Sequence, residues 1–194
     1  MRAESLEQAF KFRGSKYLRS NILGVYECVK QDLKDGKQVL FTGTPCQTAG
    51  LTTYLDKDYP NLIICDIICH SNPSPKVFKR YISALELKQG SKVKSYSFRA
   101  KSNGWDNLKP IVEYRDGTCE EELTFLTAFL RAIANRPCCY ECKFIKPYNF
   151  ADITLGDFWG VDKLTNISNY QQGTSLVLLN TKKGQEFFVT IQGL

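Results

Sequence analysis

The chain has 194 residues, 43% hydrophobic and 24% charged, with 26 basic and 20 acidic side chains for a net charge of +6. These are ordinary proportions for a globular protein, and the length suffices to bury a core without disulfide staples. No apolar run approaches the roughly 20 residues of a membrane span. Met1-Arg2-Ala3-Glu4 opens no apolar signal region, so the expected compartment is the cytoplasm, where disulfides are disfavoured.

Ile22, Val25, Tyr26, Val29 and Leu33 recur at helical spacing and predict an amphipathic helix over residues 19–34, stopped by Asp35-Gly36. Gln38 to Thr42 reads as a short strand, Gly43-Thr44-Pro45 as a turn, and Cys46 to Leu55 as a helix. Asn61 to Cys69 is almost wholly apolar, as expected of a strand buried on both faces. Ser74-Pro75 begins a helix with serine at the cap and proline at the first helical position, and Val77, Phe78, Tyr81, Ile82 and Leu85 give it one apolar face. This alternation implies an α/β fold: a parallel or mixed sheet with crossover helices in the first half.

The second half changes character. Val93 to Arg99 alternates as a half-exposed strand, and Ile111–Tyr114, Arg115-Asp116-Gly117 and Thr118–Glu121 read as a β-hairpin. Phe125 to Ala134 reads as a helix, and Arg136 to Phe150 as an irregular cysteine-rich loop bounded by Pro137 and Pro147. Strands at Asp152–Leu155 and Ser175–Asn180 and a helix at Lys182–Gln192 complete the chain. One domain over residues 1–194 is expected, as a piece of a longer protein.

Eight cysteines are many for such a chain. Cys28, Cys65 and Cys119 fall inside predicted elements and read as small buried hydrophobes. Cys139-Tyr140-Glu141-Cys142 offers two sulfurs to one metal without strain. Cys46 and Cys69 lie just past the carboxyl ends of predicted strands, where α/β sheets bind ligands. Together these four make a candidate metal shell, with Cys138 as a substitute ligand. Competing readings are structural zinc with His70, the sole histidine, a thioredoxin-like pair, and Cys46 as a nucleophile with His70 as base. Gly43-Thr44-Pro45 before a helix and Arg13-Gly14-Ser15-Lys16-Tyr17 could each cradle a phosphate, though neither is a Walker or dinucleotide fingerprint. The basic residues, among them Lys76, Lys79 and Arg80 on one helix, read as a solvated face. No motif supports nucleic-acid binding.

Several stretches together resemble one family. They are Gly14-Ser15-Lys16-Tyr17, Val39 through Gly43-Thr44-Pro45-Cys46-Gln47 to Leu51, Cys69-His70-Ser71-Asn72-Pro73-Ser74-Pro75, Arg136-Pro137-Cys138-Cys139-Tyr140-Glu141-Cys142, Asp152 through Gly156-Asp157-Phe158-Trp159-Gly160, and Gly173 to Leu178. They resemble the C-terminal domain of the β-subunits of coenzyme F-420 hydrogenases and dehydrogenases. The resemblance implies an iron–sulfur flavoprotein that passes electrons between a 4Fe–4S cluster, FAD and a deazaflavin or other acceptor. It implies Cys46, Cys69, Cys139 and Cys142 as cluster ligands, and Gly14, Ser15, Lys16, Tyr17, Gly43 and Thr44 as neighbours of the flavin. It also implies a redox partner, either a protein or a deazaflavin-type coenzyme, and a hetero- or homo-oligomer. The contrasting expectation is a zinc-stabilised or metal-free α/β module that binds a partner and does no redox chemistry.

Overall fold

The computed structural model describes residues 2–100, 109–145, 150–164 and 172–192. The chain divides into two compact units, one of Met1–Arg19 with Ser71–Tyr140 and one of Ser20–His70 with Glu141–Leu194. The fold class is the expected α/β, with a mixed sheet and an antiparallel sheet.

The second unit carries the mixed four-stranded sheet, ordered β1-β2-β6-β7. Strands β1 (Val39–Gly43) and β2 (Leu62–Ile67) run parallel, joined by helix α3 (Pro45–Leu55). Strand β6 (Ile153–Asp157) continues the parallel set, and β7 (Ser175–Leu179) closes it antiparallel. Helix α2 (Val25–Lys34) starts later than the periodicity predicts, because Gly24 breaks in with φ 73°. Val29 and Leu33 of α2, Leu51 and Leu55 of α3, Phe41, Leu62 and Ile64 form one buried cluster. The β2 strand is not buried on both faces throughout: Ile67, Leu40 of β1 and Leu155 of β6 are exposed.

A polar stitch fastens this sheet. The Asp152 carboxylate accepts from the Ile64 N–H at 2.9 Å and from the Thr181 hydroxyl at 2.6 Å. Thr181 caps helix α7 (Lys182–Ile191) by accepting from the Gly184 N–H. Across β2 and β6, Thr154 (0% exposed) donates to Asp66 (2%) at 2.6 Å and accepts from the Asn180 side-chain amide at 2.9 Å. Every polar group of this buried row has a partner, as burial requires.

The first unit is built on an antiparallel meander of β3 (Val93–Ala100), β4 (Lys109–Tyr114) and β5 (Cys119–Glu121). Pro110, Val112 and Tyr114 alternate inward on β4 while Ile111 and Glu113 face outward, the pattern of a sheet with one covered face. The predicted hairpin is the β4–β5 pair, and Gly117 (φ 89°) supplies the left-handed residue of its turn. Helix α4 (Pro75–Gln89) packs here, burying Leu85 against Val112 and Tyr114, with Tyr81 and Ile82 beside them. Of the two helices read as crossovers, then, α3 joins parallel strands while α4 roofs the antiparallel sheet. Ser74 stands at its cap position but makes no side-chain capping bond.

Helix α5 (Thr124–Leu130) is shorter than the sequence predicts, since Ala132 at φ 57° turns the chain out of the helix. The cysteine-rich loop holds one helical turn, α6 (Pro137–Tyr140), and a short α1 (Leu6–Phe10) was not expected. Pro147 lies outside the described residues.

Candidate metal centre

In the second unit, β1 and β2 pair from Val39↔Leu62 to Gly43↔Asp66. Cys46 follows Gly43 by three residues and Cys69 follows Asp66 by three, so both thiols leave the carboxyl ends of neighbouring parallel strands. That is where an open α/β sheet offers a ligand site. Both side chains are half-buried, as are Cys139 and Cys142, and all eight cysteines are thiols.

The turn that presents Cys46 is held by its neighbours. Thr44 is the N-cap of α3 and Pro45 its first residue. Gln47 Oε1 accepts from the Thr44 N–H at 3.0 Å and from the Thr44 hydroxyl at 3.1 Å. The Gln47 amide nitrogen donates to Ser20 Oγ at 3.1 Å, and Tyr26 of α2 donates its hydroxyl to the Gln47 carbonyl at 2.7 Å. Thr44 Oγ1 stands 3.2 Å from Cys46 Sγ. Sequence reading singled out Thr44 but missed Ser20 and Gln47. The signal was present, because threonine followed three residues later by glutamine is the pattern of a helix start.

Cys46 also lines an apolar cavity of about 500 Å³ with Tyr26, Gly50, Tyr54, Phe144 and Phe150. No motif announced it, because its walls come from α2, α3 and the segment after Cys142.

In the first unit, the residues that follow Cys69-His70 are knitted to those that precede Cys142. The Ser74 N–H donates to the Ala134 carbonyl at 3.1 Å, Arg136 N–H to the Asn72 carbonyl at 3.0 Å, and Pro73 bridges Asn135. The Cys139 thiol points at the same Asn72 carbonyl at 3.9 Å. Burial pushes the Cys139 thiol up; the Asn72 contact pulls it down, and the adjacent Cys138 adds to the rise.

The other expected flavin neighbours are placed less suggestively. Gly14 turns the chain with φ 88°. The Lys16 ammonium donates to the carbonyls of Phe12, Arg13 and Gly14 at 3.2, 2.8 and 3.2 Å. Tyr17 stacks on Phe129 with ring centres 4.3 Å apart. Lys16 therefore closes its own turn, and Tyr17 serves the first unit's packing.

The family model for the C terminus of the beta subunit of coenzyme F420 hydrogenase/dehydrogenase matches residues 36–192. The chain belongs to this family. No match to the chain was found among curated proteins. The family description is that of one subunit in a larger redox enzyme, and its members are generally associated with iron–sulfur and flavin cofactors. The match contains Cys46, Cys69, Cys139 and Cys142 as well as Gly43 and Thr44, and it begins after Gly14–Tyr17.

The residues fit a thiolate-bound cluster by donor chemistry. They are four half-buried thiols, two of them at adjacent strand ends and two at Cys-x-x-Cys spacing. Among the described residues, however, no three His, Cys, Asp or Glu side chains are gathered as a metal shell. No described helix is long and apolar enough to cross a membrane.

Proposed function

We propose that this chain is the cluster-bearing part of an electron-transfer protein. The thiolates of Cys46, Cys69, Cys139 and Cys142 would hold one 4Fe–4S cluster. Residues 1–194 would act together as one C-terminal-type domain of a longer protein. The observation that carries this reading is the equivalent placement of Cys46 and Cys69 past the paired ends of β1 and β2, joined to the Cys139–Cys142 spacing and the family match.

When bound, a cluster and FAD supply the one- and two-electron chemistry. The chain's own contribution is ligation, orientation and exclusion of water. The α3 turn fixes Cys46, and the pairing of 72–74 with 134–136 fixes the backbone beside Cys139. The Gly43-Thr44 turn and the Gly14–Tyr17 segment are the proposed flavin neighbours. At the second segment, the Lys16 ammonium would have to exchange carbonyl partners for a phosphate. The electron acceptor is a protein partner or a deazaflavin-type coenzyme.

Replacing Cys142 with Ser tests the ligand set. Iron and acid-labile sulfide should be lost in that variant and kept in Cys28→Ser. Full iron and sulfide in the Cys142 variant would sink the assignment.

A second reading is a metal-free or zinc-stabilised module that binds a partner. Metal analysis separates the two: one zinc without inorganic sulfide selects the second.

A further inference from the structure

The hydrogen bonds around Thr44 carry a consequence for Cys46. Gln47 is 3% exposed, and its amide is oriented from both ends. Oε1 accepts from the Thr44 N–H and hydroxyl, while Nε2 donates to Ser20 Oγ. A hydroxyl has one proton to give. While the Thr44 proton goes to Gln47, its oxygen, 3.2 Å from Cys46 Sγ, accepts from the thiol S–H.

That arrangement suits a protonated cysteine. A metal-bound cysteine has lost its proton, and its sulfur can only accept. The geometry points to Thr44 as a positioning residue that tunes Cys46. On ligation, the Thr44 hydroxyl turns from Gln47 Oε1 to Cys46 Sγ, and Gln47 keeps the Thr44 backbone N–H. The Cys46 proton leaves to solvent, and one O–H···O bond is exchanged for one O–H···S bond. Rotation about the Cβ–Oγ bond is the only movement needed, because the oxygen already lies within hydrogen-bond range of the sulfur. Hydrogen bonds to ligand sulfurs favour the more negative, reduced state of a cluster and raise its potential. Ser20 and Gln47 act one step further out, fixing where the threonine sits.

This inference rests on the cluster reading, and one experiment tells the two apart. The full chain and its Thr44→Val, Thr44→Ala and Thr44→Ser variants are loaded with iron and sulfide anaerobically. Each is then titrated with a reductant while its visible and electron-spin signals are followed. Valine keeps the shape of threonine without the hydroxyl, and alanine removes the hydroxyl without placing a methyl beside the sulfur. Both should shift the midpoint negative, lowering the reduced-to-oxidised ratio at fixed potential about tenfold, which is about 59 mV for a one-electron couple. Serine should restore the wild-type midpoint. Loaded valine and alanine variants with the wild-type midpoint would overturn the role of Thr44 and leave the cluster standing. A wild-type chain that takes up no iron and sulfide would overturn both.

Discussion

Gly184 of helix α7 lies against the backbone of Asp152, the residue before β6. A Cβ added there would lie 2.9 Å from the Asp152 carbonyl carbon and closer still to its oxygen, whereas ordinary contacts begin near 3.4 Å. Neither side can yield cheaply. The obstacle is backbone, and the same Asp152 carbonyl accepts the Asn180 N–H at 2.9 Å. In Gly184→Ala the helix would have to back away by about 1 Å. Overpacking of this kind costs about 1–3 kcal/mol. The retreat also weakens the bond from the Gly184 N–H to the Thr181 cap, worth about 1 kcal/mol. Alanine's better helix propensity returns at most about 1 kcal/mol. The net loss is therefore about 1–3 kcal/mol. For a chain of this size each kcal/mol is worth about 2–4 °C in Tm, so thermal unfolding followed by circular dichroism should show a drop of about 2–12 °C. A Tm equal to or above wild type would mean that Gly184 of α7 does not pack against the Asp152 backbone.

Two further expectations concern buried titratable groups. Burial raises the Asp66 carboxyl above its usual range, against the lowering effect of the Thr154 hydroxyl. The folded chain thus holds that proton more tightly than the unfolded one. Its stabilisation is complete below the unfolded carboxylate pKa of about 3.9 and is lost as pH rises through the folded value. The urea midpoint of Asp66→Asn should therefore depend less on pH than that of wild type across this window, and identical slopes would refute the reasoning. Burial, with Asp66 beside it, pushes the Cys65 thiol up to about 11, which marks a structural cysteine rather than a nucleophile. Cys28 and Cys119, expected as buried hydrophobes, are exposed in the structure, so iodoacetamide near neutral pH should label them and spare Cys65, as read by peptide mass spectrometry. Labelling of Cys65 at a comparable rate would contradict it.

Much of this architecture is legible because local rules and tertiary structure agree. The apolar runs of β1 and β2, the Thr-Pro start of α3 and the Asp-Gly turn after Tyr114 each carry their own signal. What escaped reading is relational. The apolar face of α4 looks the same whichever sheet it covers, so its place on the antiparallel meander could not be read from Phe78, Tyr81 and Leu85. The bond between Thr154 and Asp66 joins residues 88 positions apart, and nothing local announces it. The chain passes between its two units at Arg19–Ser20, His70–Ser71 and Tyr140–Glu141, and the Ser71-Asn72-Pro73-Ser74-Pro75 run at the second crossing reads equally well as a loop inside one domain. At the candidate centre, the strand-end placement of Cys46 and Cys69 was readable from element order. The Ser20–Gln47–Thr44 support behind Cys46 needed coordinates, because Ser20 lies 27 residues from Gln47.

The central claim is that four cysteines of this chain hold an iron–sulfur cluster. Its most direct test is the absorption spectrum of anaerobically purified, iron-supplemented protein, with iron and acid-labile sulfide quantified on the same sample. The account predicts a broad band near roughly 400 nm and about four iron and four sulfide per chain. A featureless spectrum with neither iron nor sulfide would contradict it and leave the partner-binding module as the reading that stands.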